Sequence, residues 1–242
     1  MMKLIKSNLL FVTIASLLML SACNDSDSKS TDMDDNMPEP MPVNYSYQVT
    51  VSNLTYGQPM SPVAVVLHDM GDFWQLGMSA SMALENLAES GDNTMFLQTD
   101  DVLAGASGAG ILMPGMRESI NVTITDNQPA LVSVATMLVN TNDAFTGVNA
   151  VDIANLAVGE SISMTVGSYD AGTEKNTEWQ STIPGPASGG EGEGFNAARD
   201  DLDLVAMHQG VVTADDGLSM SVLDQSHRFD NPTAKITISR LE

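Results

Sequence analysis

Apolar and polar residues alternate along several short stretches of this chain, with turn-forming residues between them. The alternation is clear in "YSYQVTVSNLT", "ESINVTITD", "ESISMTV" and "AKITISRL". A period of two places successive side chains on opposite faces of a β-strand. Two more continuous apolar runs, "PVAVVLH" and "ALVSVATMLVN", are typical of strands that are buried on both faces. These six segments predict a mainly β protein.

One segment has the period of a helix instead. In residues 73–89, "FWQLGMSASMALENLAE", apolar side chains recur every three or four positions, and Gly91 follows as a stop. A second short helix is predicted near "TMFLQ". Because the strands are more numerous and are separated by turns, the pattern predicts an antiparallel β-sandwich with one or two short helices.

The N-terminus has the pattern of an export signal. Lys3 and Lys6 precede an apolar stretch from Leu9 to Leu20, and the small residues of "LSAC" follow. The apolar stretch is shorter than the roughly 20 residues that span a bilayer. Because "LSAC" resembles the bacterial lipobox, we predict a lipoprotein signal peptide over residues 1–22, cleaved before a lipidated Cys23.

The residue after the cysteine bears on the destination. It is Asn24, whereas Asp at this position favours retention in the inner membrane under the sorting rule that accompanies the lipobox. We therefore expect an exported outer-membrane lipoprotein, held by its lipid anchor at Cys23 and facing the periplasm or the cell surface. Residues 23–44 are rich in Asp, Ser and Pro, which predicts a disordered acidic tether. Residues 45–242 suffice for one folded domain.

The charge balance narrows the class of partner. The chain has 9 Lys plus Arg against 31 Asp plus Glu, a formal net charge of −22. Removal of the signal takes two lysines and no acids, which leaves 7 basic against 31 acidic residues, or −24. This charge repels nucleic acid, so we expect no nucleic-acid partner, and it favours divalent cations. Cys23 is the single cysteine, which excludes a disulfide framework.

Two acid-bearing segments follow predicted strands and suit a calcium ion. In "SYDAGTEKN", Asp170 and Glu174 stand four residues apart, and Gly172 lets the backbone turn between them. Asp143 follows the strand "ALVSVATMLV". If the two strands run in the same direction, both loops meet at one end. We then expect one structural calcium ion, bound by Asp143, Asp170, Glu174 and backbone carbonyls of the turn. The alternative is a pair of solvated acidic loops.

Three segments that include these acids resemble a known family. "FWQLGMSASMALENLAESGD", "LVSVATMLVNTNDAFTGVNAVDI" and "SYDAGTEKN" are similar to "FW.LG..AS.GLE..AE.GD", "LVS..SMI.PSPDWF.GV..L" and "YDAGTD.G" of the spondin N-terminal domain of F-spondin-like and mindin-like proteins. The resemblance implies a β-sandwich of the calcium-dependent membrane-targeting (C-two) type with calcium at one end. It places the family's ligands at Asp143, Asp170 and Glu174. Three features depart from the family: Glu replaces the second Asp of "DAGTD", "AF" displaces the Trp, and the cysteines of the animal proteins are absent.

The resemblance also implies a binding or adhesion module, since the animal relatives are adhesive matrix proteins. We expect an unidentified protein or glycan ligand, with Trp179 and Phe195 as possible loop contacts. Packing of Trp179 against the cation loop is an equally good interpretation. The histidines lie in unrelated segments, and neither Gly-x-Ser-x-Gly nor His-Glu-x-x-His occurs, which favours a non-enzymatic role. A hydrolase acting on cell-surface polysaccharide and a purely structural envelope lipoprotein remain alternatives.

Overall fold

The alternating segments form strands in the computed structural model, which describes residues 40–242. In chain order the strands and helices are β1 (Asn44–Asn53), β2 (Ala64–His68), α1 (Met82–Ser90), α2 (Thr94–Leu97), β3 (Ala104–Ser107), β4 (Arg117–Thr125), β5 (Leu131–Met137), β6 (Ala144–Asp152), β7 (Ser161–Val166), β8 (Ser168–Asp170), β9 (Ala206–Met207) and β10 (Ala234–Arg240). The predictions of a mainly β fold and of two short helices are confirmed. The predicted signal peptide, Cys23 and tether residues up to 39 lie outside the described residues.

The strands form two antiparallel sheets. One has four strands in the order β4-β1-β10-β7, and the other has six in the order β3-β2-β5-β6-β8-β9. Tyr47, Val49 and Val51 of β1 belong to the same buried apolar cluster as Val65 and Leu67 of β2, so the two sheets face each other across one core. This arrangement is a β-sandwich. Its likeness to the C-two type stays a prediction.

The outer face of the six-stranded sheet is also covered. Val66 of β2 and Phe145 of β6 belong to a second apolar cluster, together with Leu84 and Leu87 of α1 and Phe96 of α2. Every residue of β2 is buried, because one face meets the other sheet and the opposite face meets the helices. This double burial explains why the β2 sequence is continuously apolar rather than alternating.

The helix predicted for residues 73–89 is wrong in its first half. The Ser81 side chain caps α1, which ends at Gly91 in the left-handed conformation. Upstream, Gly77 has a φ of 81°, and its N–H donates to the carbonyl of Val205 at 2.8 Å. The segment before Ser81 therefore bonds to a distant loop instead of to its own turns. None of the helices within residues 40–242 has the length and apolarity needed to cross a membrane.

The sheet register brings the two acid-bearing loops to the same end of the sandwich. β5 and β8 both pair antiparallel with β6, and Ala144 lies opposite Asp170. The two strands therefore run in the same direction, as the calcium hypothesis requires. The strand that leads into Asp170 is β8 rather than β7, because the chain passes from the four-stranded to the six-stranded sheet between Val166 and Ser168.

Candidate metal centre

Asp143 lies directly before β6 and is fully buried, with 0% of its surface exposed. Its Oδ2 accepts hydrogen bonds from the backbone N–H groups of Thr173 at 2.8 Å and Glu174 at 3.1 Å. The side chain thereby joins the loop after β5 to the turn after β8. Its Oδ1 is buried and has no hydrogen-bond partner among residues 40–242. Because an unpartnered buried carboxylate oxygen is energetically unfavourable, it suits a cation.

The turn after β8 is shaped by Asp170 and Gly172. The Oδ1 of Asp170 accepts a hydrogen bond from the N–H of Gly172 at 2.8 Å, and its Oδ2 accepts one from the side chain of Asn176 at 2.7 Å. Gly172 has a φ of 72°, and a Cβ there would lie 2.2 Å from the carbonyl oxygen of Leu204. Glycine is therefore required both by the backbone conformation and by the close approach of the segment that contains Leu204.

The carboxylates of Asp170 and Glu174 line two different cavities. Asp170 borders a cavity of about 320 Å³ together with Glu178 and Asp201. Glu174, whose Oε1 accepts a hydrogen bond from the Asn142 side chain at 3.1 Å, borders a second cavity of about 290 Å³. The structure thus brings Asp170 and Glu174 to the loop of Asp143, but their carboxylates line different cavities.

Burial and the charges of neighbouring carboxylates raise the pKa values of Asp143 and Glu174. Burial and then the charge of Asp170 hold the pKa of Asp143 well above its usual range. Burial, with a contribution from neighbouring carboxylates, raises the pKa of Glu174 to about 7. In both cases the folded protein disfavours the anionic form. A bound divalent cation reverses this preference, because it stabilises the deprotonated carboxylates.

Glu178 is a buried acid that the sequence analysis did not single out. It is 1% exposed, and its Oε1 accepts a hydrogen bond from the N–H of Val212 at 3.3 Å. Its Oε2 is buried without a partner, and it lines the same cavity as Asp170. Burial and the charge of Asp170 raise its pKa to about 7. In a chain with 31 acidic residues, no local pattern distinguishes Glu178 from the solvated acids.

The donor set fits calcium in its chemistry. Within the described residues, no three His, Cys, Asp or Glu side chains converge closely enough to hold a metal by themselves. The carbonyls of Gly172 and Thr173, in the turn predicted to complete the shell, already accept hydrogen bonds from Asp203 and Asp200. The donors that remain are hard oxygens, and Asp143 Oδ1 lacks a partner. Calcium takes carboxylate oxygens together with other oxygen donors and water, so this set fits calcium in the kind of donor.

Comparison with protein families finds one matching domain. The family model Spondin_N, for the spondin N-terminal domain, matches residues 55–187. The chain belongs to this family. The matched part of the spondin domain is more than half of the chain and includes Asp143, Asp170 and Glu174, whereas β10 lies beyond it. No curated protein matches the chain. Family membership indicates a binding or adhesion type of module that acts outside the cell.

The two aromatic residues predicted as ligand contacts differ in exposure. Trp179 of the spondin domain is 45% exposed, whereas Phe195 is half-buried. Trp179 stands next to Glu178, and its carbonyl accepts a hydrogen bond from the N–H of Ile183 at 3.2 Å, which closes a turn. Contact with a ligand stays a prediction for both residues.

His68 has a structural place in the spondin domain. Its side chain is fully buried, and its ring nitrogens lie 2.9 Å from the carbonyl oxygen of Met70 and 2.9 Å from the hydroxyl of Ser133. Both nitrogens are therefore occupied by hydrogen bonds that fix the end of β2 against β5.

Proposed function

We propose that this protein is an exported, lipid-anchored binding or adhesion module whose end loops are held together by one structural calcium ion. The observation that carries the calcium part is the carboxylate of Asp143, which is fully buried and has one oxygen without a partner. Asp170 is close enough to raise the pKa of that carboxylate. Two acids brought together in this way favour a divalent cation, because the cation offsets both desolvation and repulsion.

Asp143 and Asp170 are the proposed main ligands, and Glu174 is the third carboxylate. The Oδ2 of Asp143 already fixes the turn after β8 through the N–H groups of Thr173 and Glu174. An ion at Oδ1 ties the same two loops together a second time. The ion would neutralise the carboxylates, and the residues that bind it would connect the two loops. The expected benefit is a rigid loop end on which recognition residues can be displayed.

Family membership supports the binding role and an extracytoplasmic location. The lipid anchor at Cys23 and the outer-membrane location rest on the "LSAC" pattern and on Asn24. The proposed ligand is a protein or glycan that contacts Trp179 and Phe195. Replacing Cys23 by Ser tests the anchor: the variant should lose incorporation of labelled fatty acid and should leave the membrane fraction.

Thermal unfolding of the full-length protein tests the calcium proposal. A ligand that binds only the folded state adds about 1.4 kcal/mol of stability at ten times its Kd. The midpoint should rise across a calcium series relative to EDTA, and Asp170→Asn should remove the rise. Asp100→Asn is the matched control, because it removes the same charge from an exposed position between α2 and β3. An unchanged calcium response in Asp170→Asn contradicts the proposal.

Arrays of glycans and matrix proteins test the binding role. We expect at least one ligand whose binding is lost in EDTA and in Asp170→Asn, because the ion orders the loops that hold Trp179. An array without calcium-dependent binding contradicts the adhesion part of the proposal. It does not bear on the calcium site, which the unfolding experiment tests.

A further inference from the structure

We infer a second divalent-cation site, separate from the one at Asp143, in the cavity bounded by Glu89, Glu174, Glu193 and Asp200. These acids come from three parts of the chain: the last turn of α1, the turn after β8, and the long connection before β9. The inference goes beyond the proposed function, and it does not require an ion at Asp143.

Glu89 is the residue that marks this cavity as a site. Its side chain is 1% exposed, and its Oε2 accepts a hydrogen bond from the N–H of Asn196 at 2.9 Å. Its Oε1 is buried without a partner. The hydroxyl of Thr173 lies near Glu89 and 3.3 Å from Asp143 Oδ2, and its one hydrogen can be donated to only one of these two carboxylates. A buried, unpartnered carboxylate oxygen in the wall of an acidic cavity calls for a positive ligand.

The positive side chains of the neighbourhood do not neutralise the cavity. Lys175 is exposed and lies 3.6 Å from Asp200, so it offsets one of the four carboxylates. Arg199 forms its ion pairs with Glu85 and Asp203, and its charge lowers the pKa of Glu89 by less than burial raises it. Neither cation therefore forms an ion pair with Glu89, Glu174 or Glu193.

This cavity is distinct from the cavity beside Asp170. None of the residues that the structure describes lines both of them. Glu174 is the connection, because its backbone N–H donates to Asp143 while its carboxylate borders the second cavity. Variants of Glu174 therefore affect both sites, so the second site is tested by substituting other acids of its cavity, Glu193 and Asp200.

The chemistry of the walls selects a hard cation. The donors are carboxylates, with the Thr182 hydroxyl and the Asn196 side chain as neutral neighbours, and within residues 40–242 no sulfur or imidazole lines the cavity. Oxygen donors of this kind favour calcium over zinc. Glu193 and Asp200 are exposed, where they accept hydrogen bonds from the Asn196 side chain and from the N–H of Lys175, whereas Glu89 is buried. The ion therefore has to draw the two exposed carboxylates inward, which predicts weak binding, with a Kd on the order of 10⁻⁴ to 10⁻³ M.

The number of calcium ions bound by the full-length protein tests this inference. Equilibrium dialysis at about 0.15 M salt suppresses diffuse attraction of ions to the acidic surface. We expect two ions in the wild type and one in the double variant Glu193→Gln/Asp200→Asn, whose second site should weaken by at least about tenfold. Asp170→Asn should lose the other ion. Glu191→Gln, which removes a charge from the same loop but not from the cavity wall, should retain both.

The outcomes separate this site from the proposed function. A single ion that is lost in Asp170→Asn and unchanged in the double variant overturns the second site and leaves the proposed function standing. A single ion with the opposite behaviour supports the second site and contradicts the proposed calcium site at Asp143. Equal losses in Glu191→Gln and the double variant identify diffuse attraction and overturn the inference. A wild type that binds no calcium overturns both.

Discussion

Replacing Asp143 by Asn should raise the stability of the calcium-free protein and abolish its response to calcium. The two side chains have nearly the same size. The Asn carbonyl oxygen can accept the hydrogen bonds that Thr173 and Glu174 now donate to Oδ2. Its amide group then lies where Oδ1 has no partner and offers a donor in place of a lone pair. The substitution also removes the charge that Asp170 opposes.

The size of the effect follows from burial. Because burial and the charge of Asp170 raise the pKa of Asp143, the stabilising form is the protonated one. That contribution is fully present below the unfolded pKa of 3.8 and is lost as the pH rises through the folded value. The largest penalty at about pH 7 is the free energy of protonating an ordinary aspartate, roughly 4 kcal/mol. For a domain of this size the midpoint shifts by about 2 to 4 °C per kcal/mol, so the rise is at most roughly 8 to 16 °C.

The assay is thermal unfolding followed by circular dichroism, in EDTA and in a calcium series, at acidic and neutral pH. The difference between variant and wild type in EDTA should grow as the pH rises from about 4 towards 7. In calcium only the wild type should gain stability, by about 1.4 kcal/mol at ten times Kd. A variant that is less stable than the wild type in EDTA, or that gains as much from calcium, refutes the account of Asp143.

Three further substitutions test other parts of the structure. Glu178→Gln should flatten the pH dependence of stability in EDTA. Because burial raises the pKa of Glu178 to about 7, the protonated side chain contributes about 3 kcal/mol of stability below pH 4.5, and this contribution is lost as the pH rises through 7. A pH dependence equal to that of the wild type would contradict this. In denaturant unfolding, Gly172→Ala should lower the free energy of unfolding by more than about 3 kcal/mol, because the added Cβ meets a carbonyl oxygen. Gly189→Ala is the control: its φ is 80° but the space around it is open, so it should lower the free energy by only about 1 kcal/mol. Similar losses in the two variants would count against the close approach at Gly172. Ser81→Ala should cost about 1 kcal/mol and Ser81→Asp should restore most of it, since this residue caps α1; three equally stable proteins would place the start of the helix elsewhere.

Strands with alternating residues were predictable because the period of two is a local property of the chain. β7 and β10 lie within predicted segments, and β1 and β4 each begin one residue before theirs. β6 was missed, since its first five residues are buried on both faces and carry no alternation. β3 was missed as well, because its sequence "AGAS" contains no large apolar residue and its pairing with β2 alone makes it a strand. The first half of the predicted helix failed because distant hydrogen bonds decide the backbone of Gly77.

The three predicted ligands illustrate the same division between local and tertiary information. Asp143, Asp170 and Glu174 could be chosen because each follows a strand or a glycine turn in the sequence. That β5 and β8 run in the same direction, which brings these loops to one end, depends on both strands pairing with β6. The separation of Asp170 and Glu174 into two cavities depends on Glu89, Glu193 and Asp201, which no local pattern connects to them.

The mainly β composition, the family and the acids that follow strands could be read from the chain, because periodicity, turn residues and motif spacing are local properties. Which acids are removed from water depends on the folded protein. Glu89 and Glu178 look like any other glutamates of a chain with net charge −22, yet each is 1% exposed with one oxygen unpartnered. Desolvation depends on what the rest of the fold packs around a side chain, and it is desolvation that makes a carboxylate favour a cation.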